Sequence, residues 1–327
     1  MYCMVWMATN MEWTMNELQI GLLGTFDVRR NDEPVVGLEG RKVQDLLAFL
    51  LLQRSRPYSR EYLAELLWGQ RAPAQSKKYL RQTLWQVHSA LAAPGQDAPD
   101  SFPLLVDDEW IRFNQRCDLW LDVAVFEAAY QQTQGIAGQN LDEDHAGRLR
   151  QAVDMYRGDL LPGCYDDWCI FERERLQNMY LAMLDKLIDC CQQHGQFEQG
   201  LAYGDTILRL DRARERTHRR MMRLYYLTGD RTSALRQFDQ LKRALHDELD
   251  VRPSQSSVAL RDQIRADSLG GTLPPPGGAF ASQQQPRNGA TQGDPRLHLR
   301  HLHACLTRMQ RQIAQEIESI ELALAEA

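Results

Sequence analysis

Residues 76–91 read SKKYLRQTLWQVHSAL. Leu80, Leu84, Val87 and Leu91 recur at steps of four, three and four, which is one apolar stripe of a helix. The opposite face carries Lys77, Lys78, Arg81, Gln82, Trp85, His88 and Ser89, with no acidic residue among them. Such a face is either solvated or built to lie against something negative. The flanking sequence bears on the choice.

The chain has 327 residues, enough for about two domains with real cores. Its net charge of −6 argues against a wholly basic nucleic-acid protein, but the charge is unevenly spread. Residues 41–91 hold nine Lys/Arg and three Asp/Glu, whereas residues 118–267 hold twenty and twenty-five. A basic module joined to a mildly acidic one suits a DNA-binding head on a partner domain. Seven cysteines with no C-x-x-C pair read as free thiols in a reducing cytosol. No run of eighteen apolar residues indicates a membrane span, so a cytoplasmic protein without membrane partners is expected.

Upstream of the quoted helix, residues 18–40 read as short strands around the turn "RNDEP". "RKVQDLLAFLLLQ" (41–53) reads as an apolar helix, and "REYLAELLW" (60–68) as a second one capped by Ser59. Downstream, "LLVDDEWIRFN" (104–114) reads as strand, tight acidic turn and strand. Strands, three helices and a hairpin are the order of a winged helix. Helices 60–68 and 74–91 form its helix-turn-helix, and the hairpin forms its wing. The expected organisation is a tail over 1–17, a winged-helix domain over 18–115, and an almost wholly helical domain over 118–267. A Gly/Pro/Gln-rich linker over 268–295 and an amphipathic helix over 296–325 follow. The helical domain aligns with itself at "HGQFEQGLAYGDTILRLD" (194–211) and "TGDRTSALRQFDQLKRAL" (228–245). Gly195 and Gly229 stand 34 residues apart, the tetratricopeptide period. Tyr225, Ala234 and Phe238 occupy packing positions of the second copy. Gly200 and Gly204 make the first copy look degenerate. The fold class is therefore mainly α: a winged helix with small β-sheets, a tetratricopeptide-like helical repeat domain and a detached C-terminal helix.

With these segments in place, residues 18–267 resemble the antibiotic regulatory protein type of bacterial transcriptional activators, in which an OmpR-like winged helix precedes a bacterial transcriptional activation domain. "SREYLAELLWGQRAP" (59–73) with the helix after it carries the first half of the likeness. "YRGDLLPGCYDDWCIFERERLQNMYLAMLDKL" (156–187) and "RLDRARERTHRRMMRLYYLTGDRTSALRQFDQLKRALHDELDVRPSQSSVAL" (209–260) carry the second. The linker and last helix have no counterpart in it. The resemblance implies a sequence-specific activator that binds repeated sites in double-stranded promoter DNA, as a homodimer on DNA, and recruits RNA polymerase holoenzyme. A different class of function, a tetratricopeptide-like adaptor without specific DNA binding, also fits the helical half.

Within the winged helix, Arg81 and Gln82 are the expected base readers, since Arg pairs with a guanine edge and Gln with an adenine edge. Trp85 suits either the DNA or packing on the helical domain. Lys77, Lys78, His88 and Ser89 are expected at phosphates or backbone, with Arg41, Lys42, Ser59, Arg60 and the wing's Arg112. Asp107, Asp108 and Glu109 argue against a wing deep in the minor groove. Asp166, Asp167, Glu172 and Glu174 alternate with Arg173 and Arg175, so they read as a helix start with salt bridges, and Tyr165 and Trp168 as packing. The arginine-rich "RARERTHRRMMR" (212–223) reads as a repeat helix whose polar face is solvated or bridged to its neighbours, or as a contact surface for polymerase or DNA. His298, His301 and Cys305 share a helical face but fall short of a zinc site, so no metal and no cofactor is expected. The chain lacks a P-loop, G-x-S-x-G and H-E-x-x-H, and no nucleophile finds a base, so no enzyme is expected.

Overall fold

A computed structural model describes residues 18–92, 102–117 and 119–269. The expectations for the tail, for most of the linker and for the C-terminal helix lie outside these residues. The elements run β1 (Leu18–Gly21), β2 (Asp27–Arg30), β3 (Glu33–Pro34), α1 (Arg41–Leu52), β4 (Tyr58–Ser59), α2 (Arg60–Trp68) and α3 (Pro73–Leu91). Next come β5 (Leu104–Val106), β6 (Trp110–Phe113), β7 (Leu119–Leu121), α4 (Asp122–Gln132) and α5 (Glu143–Met155). The chain continues with α6 (Asp167–Gln193), α7 (Phe197–Leu210), α8 (Glu215–Leu227), α9 (Arg231–Leu249) and α10 (Gln255–Arg265).

The expected helix boundaries hold to within a few residues, because caps mark them. Ser59 Oγ accepts from Tyr62 N at 3.1 Å at the start of α2, and Pro73 opens α3, where a missing N–H costs nothing. Two short strands escape the sequence reading. Tyr58–Ser59 adds an edge to the wing, giving the sheet order β4-β6-β5. Leu119–Leu121 pairs parallel with β1, placing Leu18 beside Leu119 and Ile20 beside Leu121 in the sheet order β3-β2-β1-β7. Strands of two and three residues are too short for a period to show. The first sheet thus takes its fourth strand from beyond residue 115, and one hydrophobic core runs without a break from Leu18 through Leu80 and Phe126 to Leu187 and Leu224.

Asp122 fastens this arrangement. Its carboxylate accepts from Leu22 N at 2.7 Å and Leu23 N at 2.8 Å through Oδ2, and from Val123 N at 2.6 Å through Oδ1. The side chain is buried, which pushes its pKa up, while the three N–H groups pull the other way. Just before Gly24, whose φ of +100° excludes a side chain without strain, Leu23 forms an isolated bridge with Leu160 in the loop before α6.

The helical half stacks α6 on α7, α7 on α8 and α8 on α9 as successive antiparallel pairs. Gly195 and Gly229 take φ of +71° and +83° at the expected turns. Gly200 and Gly204 are not marks of decay. A Cβ at Gly200 would come within 2.9 Å of Leu224 Cδ1, and one at Gly204 within 2.7 Å of Met221. These positions correspond to Ala234 and Phe238 in the second copy, and the side chains of α8 fill the space instead. The arginine-rich stretch is largely spent inside the fold. Arg220 is buried between Asp185 and Asp189, Arg214 pairs with Asp185 at 2.8 Å, and Arg219 donates to Ser257 Oγ at 3.1 Å.

Two outcomes test this packing. Asp122→Asn presents an NH₂ or a single acceptor to the N–H groups of Leu22 and Leu23, and should lower stability in urea by about 1–3 kcal/mol for each donor left unpaired. Buried His218 should make stability depend on pH. Gln237 Nε2 stands 2.8 Å from its Nδ1, and Arg212 O stands 2.9 Å from its Nε2. This fits a neutral ring that accepts at Nδ1 and donates at Nε2. Burial depresses the imidazole pKa, so the unfolded chain takes up the proton first. Stability is then full above the ordinary value of about 6.5 and falls as pH drops through it, by up to about 1.4 kcal/mol per unit. Urea midpoints at several pH values should show this slope in the native chain and a shallower one in His218→Gln.

Candidate nucleic-acid interface

The apolar stripe of α3 packs on α1 and α2. Leu80, Leu84, Val87 and Leu91 are all buried. The turn before α3 is held by Ser76, whose hydroxyl donates to Trp68 O at 2.9 Å. At the other end Arg30 donates to Leu91 O at 2.8 Å, placing a cation on a carbonyl that the helix leaves open. With both ends fixed, the opposite face points outward. Lys78, Arg81, Gln82, Trp85 and Ser89, spaced three, one, three and four, share it and are exposed. Trp85 is 67% exposed, so the alternative of packing on the helical domain is not realised among the described residues.

The charges on this face differ in availability. Among the described residues Lys78 and Arg81 enter no ion pair. Lys77 reaches back to α2 and pairs with Glu61 at 2.6 Å, which holds the Glu61 carboxyl below its usual range. Both side chains are half-exposed or more, so the pair is weak and open to exchange for a phosphate. His88 lies against Phe102, with ring centroids 4.3 Å apart.

At the wing, Arg60 donates from its side chain to Asp107 O at 3.0 Å, and its backbone N–H donates to Glu109 O at 3.0 Å. It therefore braces the start of α2 against the hairpin turn. The acidic turn has its own use for Asp107, whose carboxylate accepts from Trp110 N at 2.6 Å and Glu109 N at 3.1 Å and is held below its usual range by those bonds. Trp110 and Arg112 alternate with buried Ile111 and point out of the wing together. Trp110 is 43% exposed, and sequence reasoning passed it over. The alternation in "WIRF" was the signal available.

Two further expected phosphate ligands stand at the junction with the helical half. Lys42 turns toward the helical half, donating to Asp166 Oδ2 at 3.0 Å and lying 3.2 Å from Asp45 Oδ2. Burial opposes its charge, yet the two carboxylates raise its pKa on balance. Lys42, expected at a phosphate, is held here in a partly exposed ion pair with Asp166. Arg41 lines the cavity at the same junction. Trp168 packs edge-on to Phe49 with centroids 5.3 Å apart, as expected, while Tyr165 is exposed rather than packed.

Comparison with known proteins agrees with this architecture. Residues 121–265 match the bacterial transcriptional activator domain. The chain is 25% identical over 250 residues to the regulatory protein AfsR of Streptomyces coelicolor, covering 76% of this chain and 24% of AfsR. It is 23% identical over 261 residues to the transcriptional regulatory protein MoaR1 of Mycobacterium bovis, covering 77% of this chain and 80% of MoaR1. The fold superposes with a TM-score of 0.64 on Mycobacterium tuberculosis EmbR, solved in complex with a low-affinity phosphopeptide. That match has 20% identity and covers 77% of this chain and 66% of EmbR. The chain thus spans about a quarter of AfsR. These matches bear out the resemblance to the antibiotic regulatory protein type of bacterial transcriptional activators, and EmbR bears out the fold.

The exposure of Trp85 has a measurable consequence. Trp85→Ala should leave the unfolding free energy within about 0.5 kcal/mol of the native value, as surface substitutions do. A larger loss in urea titration would mean that the indole belongs to the core.

Proposed function

We propose that the chain is a transcriptional activator that lays α3 in the major groove of promoter DNA. The observation that carries this reading is the outward face of α3: Lys78, Arg81, Gln82 and Trp85 stand exposed on a helix whose other side and both ends are fixed. Arg81 and Gln82 read base edges, Trp85 lies against sugar or a thymine methyl, and Lys78 and Ser89 meet phosphate. Lys77 joins them by exchanging Glu61 for phosphate. His88 reaches only the backbone, and Ser59 and Arg112 flank the groove from α2 and the wing. Two protomers occupy a repeated site, and the helical half contacts RNA polymerase holoenzyme. The relatives' names support regulation of transcription, and residues 121–265 support an activating domain.

Selection of randomised duplexes by the purified chain, with affinity followed across salt, tests the reading. A repeated motif should emerge, and log affinity should fall linearly with log salt. Arg81→Ala should cost about 1–3 kcal/mol at one base position and relax preference there, while Lys78→Ala should weaken all sequences alike and reduce the salt slope by about 1. Recovery of no motif and no salt slope would overturn DNA binding and favour the adaptor reading.

A further inference from the structure

The loop between α5 and α6 carries Cys164, and the first turn of α6 carries Cys169. Both are buried free thiols, and their side chains hydrogen-bond one another. A single guanidinium holds the two residues in place. Arg173, one turn further along α6, donates through Nη2 to Cys164 O at 3.1 Å and to Cys169 Sγ at 3.7 Å. The same nitrogen donates to Leu160 O at 2.9 Å and Leu161 O at 3.0 Å. These bonds fix a backbone that takes φ of +43° at Leu161 and +92° at Gly163. The loop is thus held in a shape that keeps the two sulfurs together.

The surroundings set this pair apart from the other buried cysteines. Among the described residues Arg173 makes no ion pair, and its donors go to carbonyls and sulfur. A cation beside a thiol favours the thiolate. The hydrogen bond with Cys169, helped by the backbone N–H of Asp166, holds the Cys164 thiol below its usual range. Burial opposes this, as do the Asp45 and Asp166 carboxylates, which Lys42 bridges. At Cys190 and Cys191 burial pushes the thiol up instead. Access differs as well. Cys164 lines a cavity of about 370 Å³ with Thr25, Arg41 and Pro162, which admits a small solute, whereas Cys169 is fully buried.

We propose that Cys164 and Cys169 are a hydroperoxide-reactive pair that closes reversibly into a disulfide. Cys164 reacts first, from the cavity. Its thiolate attacks one peroxide oxygen: an S–O bond forms, the O–O bond breaks, and the leaving oxygen takes up a proton as water or an alcohol. The sulfur is oxidised to a sulfenic acid and the hydroperoxide is reduced. Cys169 then gives up its proton and attacks Cys164 Sγ. The S–S bond forms, the S–O bond breaks, and the departing hydroxide takes that proton as water. An external dithiol reverses the step by exchange, leaving as its own disulfide and returning both thiols. Transient disulfides of this kind are the ones a reducing cytosol admits. The sulfurs must close from hydrogen-bonding distance to about 2.05 Å. Cys169 is fixed by its helix, so the loop makes the movement. The ring so closed contains Asp166, which pairs with Lys42 of α1 at 3.0 Å.

The test uses the full chain, reduced and freed of reductant, with hydrogen peroxide as oxidant, followed by acid quench, alkylation and trypsin. Peptide 158–173 contains Cys164 and Cys169 and no other cysteine. After peroxide it should escape alkylation at both sulfurs and have lost a pair of hydrogens, and dithiothreitol should restore both thiols. Its thiols should disappear at least about tenfold faster than that of Cys117, which is partly exposed. In Cys169→Ser, dimedone should trap a sulfenic acid on Cys164, and in Cys164→Ser the Cys169 thiol should survive. Oxidation of peptide 158–173 no faster than Cys117 would overturn the pair. So would a disulfide from either cysteine to a third one, or a sulfinic acid in place of the disulfide. Because the rate and the product are read on the native chain, the test stays decisive if a serine variant misfolds.

Discussion

The carboxylate of Asp122 is the constraint on which the two halves depend. It accepts from the backbone where β1 ends, and it does so from the first turn of α4, one residue beyond β7. An acid at a helix start is favoured by the helix dipole. Here it also satisfies two N–H groups that the end of a strand would otherwise bury without partners. Because β7 runs parallel to β1 beside it, the first sheet and the first helix of the helical half form one body. α3 is then set in space by the same core that supports the repeats, and the exposed face of α3 inherits that rigidity.

The helical outline was readable because its signals are local. Ser59 and Pro73 announce helix starts, Gly195 and Gly229 announce turns, and the stripe from Leu80 to Leu91 announces the buried side of α3. The base-reading candidates Arg81 and Gln82 followed from that stripe by geometry alone. The pairing of β1 with β7 was not readable, since three residues carry no period and the partners stand a hundred residues apart in sequence. The fate of Lys42, and which acids the arginine-rich stretch meets, were hidden for a related reason. A cation's value depends on which acid the tertiary fold brings to it. Asp166 and Asp185 come from distant segments.

The glycines of α7 show how a repeat can depart from its pattern without loss of order. In the second copy Ala234 and Phe238 fill the interhelical space from α9. In the first copy that volume is supplied across the interface by Leu224 and Met221 of α8. A close-packed interior requires that the volume be filled, and is indifferent to which helix fills it.

The parallel pairing of β1 with β7 also has a consequence in time. Leu18 emerges from the ribosome about a hundred residues before Leu119, its partner. At a synthesis rate of 5–20 residues per second, the first strand waits about 5–20 s for its neighbour. During that interval β1 can pair with β2, but its other edge is open and the apolar side chains of Leu18 and Ile20 lack their cover. An unpaired strand edge is a template for association between chains. On polysomes, the short length of β1 and the speed with which α4 follows β7 therefore matter to this protein's yield as much as the stability of the finished sheet.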